Sequence, residues 1–224
     1  MPLIAPDRNR SSDADRMYYL EWFEEHGAYI NTKSSAKTWF ASFENVTGKS
    51  VVSKAEFEMI RDMRDAVHSH PTAGALLKGG VAETSHFAEI NGVPCKCRPD
   101  YNGHALVDVK SCVDASNHAF ARSVANYKYH LQQAVYQQIV NETEGVNKDF
   151  VFIACEKSSP YPVAVYQLNF DAVSNGVYLM DKALELYRSC SYSGSWPSYD
   201  DDDELSIPIY DREPDLHSLA ALEA

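Results

Sequence analysis

The chain has 224 residues, with 32 acidic and 20 basic side chains and a formal net charge of −12. That length fits one domain, or one with a small appendage, and can bury a substantial core. At 45% hydrophobic residues and with no apolar run near membrane-spanning length, the composition excludes a disordered chain and a helical membrane protein; the acid excess argues against a surface that is basic throughout.

The opening residues, Met1 to Arg8, lack the apolar region of a signal peptide. Five cysteines, an odd number without export, point to reduced thiols. The expectation is a soluble, cytoplasmic protein with no membrane contact.

Ser11 to Gly27 reads as a helix with Met17, Leu20 and Phe23 on one stripe, and Ser34 to Val46 as a second with Trp39, Phe40 and Phe43. Together they make residues 1–50 an N-terminal helical segment. A third helix opens at Val51, with Ser53 and Glu56 in a capping-box pattern, and runs to about Ser69 before Pro71. His68 and His70 at its end are read as dipole compensation or simple exposure. A short helix over Ala73 to Lys78 follows.

Next comes a meander. Glu83 to Ile90 is a strand and its approach, Val93 to Arg98 a second strand, and Ala105 to Lys110 a third. Asn91-Gly92 and Asn102-Gly103 are the turns between them. A long helix from Ser116 or Asn117 to about Asn141 carries a core stripe of Phe120, Val124, Tyr127, Leu131, Val135 and Ile139. Its second stripe is polar and aromatic: His118, Arg122, Tyr129, Gln132 and Tyr136. Strands over Phe150 to Cys155 and Pro162 to Leu168 and a helix over Asp171 to Ser189 complete a core of residues 51–196. An acidic tail, 197–224, contains Asp200 to Glu204 and reads as a mobile segment or a subunit contact. The fold class is α/β (α+β): a mixed central sheet, the three-strand meander plus two further strands, flanked by helices.

The chemistry concentrates between Cys97 and Ser111. Strand alternation puts Asp108 and Lys110 on one face and Val107 and Val109 on the other. A hairpin at Asn102-Gly103 brings Asp100 towards Asp108. Two carboxylates and a lysine suit a divalent metal and a phosphate: Asp is a hard oxygen ligand, and lysine orients water or offsets developing charge. An ordinary surface hairpin with an Asp–Lys pair explains the same residues equally well.

The wording Cys97-Arg98-Pro99-Asp100, Val107-Asp108-Val109-Lys110-Ser111 and Gln132-x-x-x-Tyr136, preceded by Ala82-Glu83-Thr84-Ser85, resembles the PD-(D/E)XK nuclease superfamily. Within it the set looks like the RecE-like, phage-type exonucleases (the exonuclease VIII nuclease domain), with lambda exonuclease more distant. The resemblance covers about Val51 to Trp196.

It implies that Asp100, Asp108, the Val109 carbonyl and Glu83 ligate Mg²⁺, for which Mn²⁺ can substitute, and that Lys110 positions the attacking water. Gln132 and Tyr136 would hold the scissile phosphate or the terminal nucleotide. Arg98, Ser111, Arg122, Lys128 and Tyr129 become candidates for contacts to DNA. The implied activity is a 5′→3′ exonuclease on double-stranded DNA ends, leaving 3′ single strands for a RecT-type annealing protein in phage-type recombination. It would act as a ring-shaped homo-oligomer, a trimer or tetramer, in a bacterial or phage-infected cell. The histidine-bearing helix that RecE-like domains carry upstream has no counterpart before Glu83. Some nucleases of the superfamily bind an iron–sulfur cluster through four cysteines; Cys95 and Cys97 instead read as core residues. The competing expectations are a restriction-type or CRISPR-associated endonuclease and a degenerate, non-catalytic DNA-binding subunit.

Overall fold

In the computed structural model, residues 3–5, 25 and 51–198 are described. The helices expected over Ser11 to Gly27 and Ser34 to Val46 lie outside them, save Glu25, which is helical, and so does the acidic run from Asp200. The chain divides into two compact units, Met1–Leu184 and Glu185–Ala224.

The first unit opens with β1 (Leu3–Ala5), parallel to β2 (Val51–Ser53). Val51 and Val52, expected to open a helix, are therefore strand; these adjacent β-branched residues favour the pleated conformation. Helix α1 (Lys54–Ser69) starts directly after them. Helix α2 is Pro71–Leu76, two residues earlier than the expected Ala73 to Lys78. Pro71 is at its start rather than in the gap, because proline's missing N–H costs nothing in a first turn. His70 caps it: Nδ1 accepts from the Ala73 N–H at 3.2 Å.

The strands that follow are β3 (Val81–Ala82), β4 (His86–Ile90), β5 (Val93–Cys97), β6 (Tyr101–Asn102), β7 (Leu106–Cys112), β8 (Phe150–Glu156) and β9 (Val163–Tyr166). Five form a mixed sheet in the order β3-β6-β7-β8-β9, with β7 and β8 parallel and the other pairs antiparallel. The fold class is the expected one. The expected three-strand meander is not part of that sheet, however: among the described residues its first two strands, β4 and β5, pair only with each other as a separate ribbon, and β7 takes β6 as its antiparallel neighbour instead. The β4–β5 turn has Asn91 at φ 50° and Gly92 at φ 79°, positive at both central positions as a two-residue hairpin turn requires.

The crossover from β7 to its parallel neighbour β8 contains two helices, α3 (Asn117–Asn126) and α4 (Tyr129–Glu144). The single helix expected to Asn141 is broken at Tyr127-Lys128. Lys128 sits in the left-handed region at φ 56°, and its carbonyl accepts from the N–H groups of Leu131 and Gln132 as the new helix starts. The break resets the helical phase. Tyr127 leaves the expected core stripe and is 69% exposed, while Phe120, Val124 and Ile139 stay buried. His118 and Arg122 no longer share a face with Gln132.

Alternation along β7 and β8 builds two cores. Leu106, Phe150, Phe152 and Ala154 pack with residues of α3 and α4 and with Met180 and Leu184 of α5 (Phe170–Ser193). Val107, Ile153 and Cys155 face the other way, onto Val67 and Ala73 of α1 and α2. β8 is buried almost throughout, as a central strand covered on both faces must be. Cys97 belongs to the first core, where burial pushes its thiol up to about 11. In the second unit, Tyr187 and Trp196 meet edge to face at 5.7 Å. Among the described residues no helix is long and apolar enough to cross a membrane.

Candidate active site

Asp108 lies on the same face of β7 as Leu106, towards α4, and is 3% exposed. A carboxylate that deep costs several kcal/mol unless it is partnered. Gln132, one turn into α4, supplies the partner: Nε2 donates to Asp108 Oδ1 at 2.6 Å. The other end of the same amide serves Lys110, whose Nζ donates to Gln132 Oε1 at 3.0 Å. Lys110 Nζ also stands 2.7 Å from Asp108 Oδ2. That approach satisfies charge but not hydrogen-bond geometry, so Oδ2 is buried without a hydrogen-bond partner. The ammonium lies 4.4 Å from the centre of the Tyr129 ring, a cation–π contact.

Asp100 enters from the neighbouring strand. The β6–β7 register pairs Tyr101 with Val107, so one further step sets Asp100 across from Asp108. Asp100 Oδ2 accepts the Val109 N–H at 2.7 Å, replacing a ladder bond with a side-chain bond. Its pKa is raised: burial is the main cause, the Val109 hydrogen bond opposes it, and the Asp108 and Glu83 charges add to it. The Lys110 charge acts in the other direction.

Glu83 is brought to this edge with its backbone N–H on the Asp100 carbonyl at 3.1 Å. It is left-handed at φ 58°, and its carboxylate pairs with Arg98 at 2.5 Å. Arg98 is thus committed to Glu83 at an exposed rim. Tyr136 follows Gln132 by one turn and packs edge to face on Phe150; burial first, then the Asp108 charge, raises its hydroxyl pKa. Ser111 and Tyr129 line a cavity beside Lys110, and Lys128 is exposed at the helix joint. Arg122 is not gathered in: it is exposed on α3 and contacts His118 one turn back.

Sequence reasoning missed a polar network behind β6. Asn102 Nδ2 donates to Glu144 Oε1 at 2.6 Å, and Lys148 Nζ reaches Asn102 Oδ1 at 2.6 Å and Glu144 Oε2 at 2.7 Å. Buried His86 bonds Thr143 through Nδ1 at 3.1 Å. The Glu144–Lys148 spacing of four was the available signal.

Among the described residues no group of three acidic, histidine or cysteine side chains is close enough to hold a metal. Two carboxylates and a backbone carbonyl still fit a divalent cation, since such ions are commonly held by one or two carboxylates, with water and substrate phosphate completing the shell. Asp108 Oδ2, buried with no hydrogen bond and only the Lys110 ammonium beside it, and the half-buried Asp100 carboxylate opposite fit the same ion.

The sequence matches the family described as "PDDEXK-like domain of unknown function (DUF3799)" over residues 17–205. A solved structure from Eubacterium rectale, described as a "putative exonuclease", superposes with a TM-score of 0.55 at 15% identity, covering 96% of this chain and 81% of that one. The solved structure of SSO0001 gives a TM-score of 0.33 at 10% identity over 83% of this chain and 77% of that one, too low to carry an argument. Comparison with curated proteins returns no match. The first likeness concerns the fold; the family match extends over the strands and helix that carry Asp100, Asp108, Lys110 and Gln132 and supports the PD-(D/E)XK superfamily rather than its RecE-like branch. By that match the chain belongs to the PDDEXK-like domain family.

Proposed function

We propose that this protein is a divalent-metal-dependent deoxyribonuclease that hydrolyses one strand of linear duplex DNA from its 5′ end. The observation that carries the reading is the amide of Gln132, which holds Asp108 and Lys110 at once. A surface Asp–Lys pair has no need of a half-buried amide bridging it, or of a carboxylate that is 3% exposed.

Asp100, Asp108 and the Val109 carbonyl would hold the metal, Mg²⁺ or Mn²⁺. When bound, it lowers the pKa of a water and polarises the phosphoryl oxygen. The chain's residues supply position. An ammonium has three donors; Gln132 takes one, the Asp108 carboxylate draws the group inward, and the remaining donors can orient water or meet the phosphate. In the reaction the water oxygen forms a new bond to phosphorus and gives up a proton, one ester P–O bond breaks, and the departing oxygen takes a proton from solvent. Tyr136 keeps its hydroxyl protonated beside Asp108 and can donate to a phosphate oxygen. Glu83 shapes the edge, through its charge on Asp100 and its pair with Arg98.

The wider reading is a 3′-overhang generator in phage-type recombination, working with a RecT-type annealing protein in a bacterial or phage-infected cytoplasm. A ring-shaped homo-oligomer would reconcile a net charge of −12 with DNA, because a topological hold needs less electrostatic affinity.

The test is digestion of linear duplex DNA beside covalently closed circles, with Mg²⁺ and with EDTA, using wild type and Lys110→Ala. Loss of the linear form alone, only with Mg²⁺ and only with wild type, is the expected result. Cutting of circles would replace the exonuclease reading with an endonuclease. Cutting of neither form with Mg²⁺ or Mn²⁺ would overturn the enzyme reading.

A further inference from the structure

Beside the catalytic lysine lies a cavity of about 240 Å³, space for roughly eight waters at ~30 Å³ each, far more than a hydration site needs. Lys110 belongs both to its wall and to the cluster with Asp108 and Gln132. Its wall also includes Tyr127, Tyr129, Ser111, Asp114 and Lys157, among small and apolar side chains of β7 and α3.

The two tyrosines are the outer end of a column of rings. Phe152 in the core stacks with Tyr129 at 5.9 Å and 27°, and Tyr129 stacks with Tyr127 at 5.6 Å and 24°. Tyr127 ends the column at the surface, 69% exposed, and among the described residues its only ring neighbour is Tyr129. Tyr127 is the C-cap of α3, directly before the left-handed Lys128, a conformation uncommon outside glycine, and it lies at the surface. A flat aromatic supported from behind and open in front is what a base stacks on.

The charges around it suit a nucleotide. Lys157 is exposed and, among the described residues, makes no ion pair, leaving its ammonium for a phosphate. Asp114 is a poor neighbour for phosphate but a good acceptor for the N–H groups of a base. Its carboxyl is held below the usual range, chiefly by the Ser116 backbone N–H, so it stays an acceptor at neutral pH.

We propose that this cavity seats one unstacked nucleotide of the strand being cut, its base on Tyr127 and its phosphate at Lys157, beside the phosphate that reaches Lys110. The proposal rests on the nuclease reading for the identity of that strand. It makes the substrate a frayed or single-stranded end: a base inside a duplex is stacked on both faces and cannot meet the ring.

The experiment is binding of a single-stranded decanucleotide with 2-aminopurine at its 5′ end, in Ca²⁺ and followed by fluorescence, for wild type, Tyr127→Ala, Tyr127→Phe and Lys157→Ala. Digestion of frayed and blunt duplexes in Mg²⁺ is measured in parallel. Wild type should change the 2-aminopurine signal and prefer the frayed end. Tyr127→Ala should lose the signal and weaken binding roughly 5- to 150-fold, whereas Tyr127→Phe keeps both. Lys157→Ala should lower the salt dependence of binding by about one charge. Binding and signal unchanged in Tyr127→Ala, or no binding by wild type, overturns the proposal. If wild type cuts no DNA yet binding and signal still depend on the Tyr127 ring, the cavity stands as a nucleotide site and the hydrolytic reading falls.

Discussion

Gln132 Nε2 donates to Asp108 Oδ1 at 2.6 Å, tying helix α4 to strand β7 at a carboxylate that is 3% exposed. The amide thereby decides both where the aspartate points and, through its oxygen, where Lys110 points. It supports the site and the sheet at once.

Gln132→Ala should therefore damage activity and stability together. Loss of placement at Asp108 and Lys110 is expected to lower kcat by about 100-fold. The buried carboxylate oxygen left without its donor should cost about 1–3 kcal/mol. Steady-state hydrolysis and urea unfolding measure the two. A variant with wild-type turnover would remove Gln132 from the active site.

Lys110→Met tests the charge balance. It leaves Asp108 buried beside no cation, a loss of about 3 kcal/mol at the low end for a broken buried pair, since the lysine is itself partly solvated. Saturating Mg²⁺ should return much of that stability, about 2.7 kcal/mol at a hundred times Kd, without returning activity. EDTA should abolish the gain. Thermal melts with and without metal read both effects.

Asp100→Asn should stabilise the metal-free protein at pH 7. Burial and the Asp108 and Glu83 charges raise the Asp100 pKa, so the fold prefers the protonated group. A raised acid contributes stability fully below its unfolded value of 3.8, and that contribution disappears as pH rises through the folded value. The neutral amide keeps an acceptor for the Val109 N–H and avoids the charge. The same variant should lose the Mg²⁺-induced rise in Tm, and differential scanning calorimetry at pH 7 tests both halves.

Glu144 titrates with the opposite sign. Its pKa is lowered, chiefly by the Lys148 hydrogen bond, with help from Asn102 and against some burial. Its contribution is present above 4.5, the unfolded value, and lost as pH falls through the folded one. Glu144→Gln should cost about 1 kcal/mol at pH 7 and flatten the acid limb of the stability curve. An unchanged acid limb would show that the network behind β6 contributes nothing.

Much of this was legible in the chain. Two-residue periodicity set Asp108 and Lys110 on one face, and Asn91-Gly92 gave a tight turn because both residues accept positive φ. Gln132 and Tyr136 share a face at a spacing of four. The helix break at Lys128 was not legible: Asn126-Tyr127-Lys128 contains neither glycine nor proline, and the packing of Tyr129 onto Phe152 is a tertiary contact that local propensity cannot foresee. β3 and β6, two residues each, are too short to show any period. The partner of Glu83 was hidden for a related reason: Arg98 lies fifteen positions away and reaches it only after the chain has folded back.

The left-handed joint at Lys128 has a consequence for how this sequence can change. An α-helix turns about 100° per residue, so a one-residue insertion in an unbroken helix would swing every later side chain off its target. Here one residue's dihedral angles aim the two helices separately: α3 keeps Phe120 and Val124 in the core while α4 sets Gln132 on Asp108. A change of length between Tyr129 and Gln132 lies beyond that joint and would turn the amide away from the aspartate it holds.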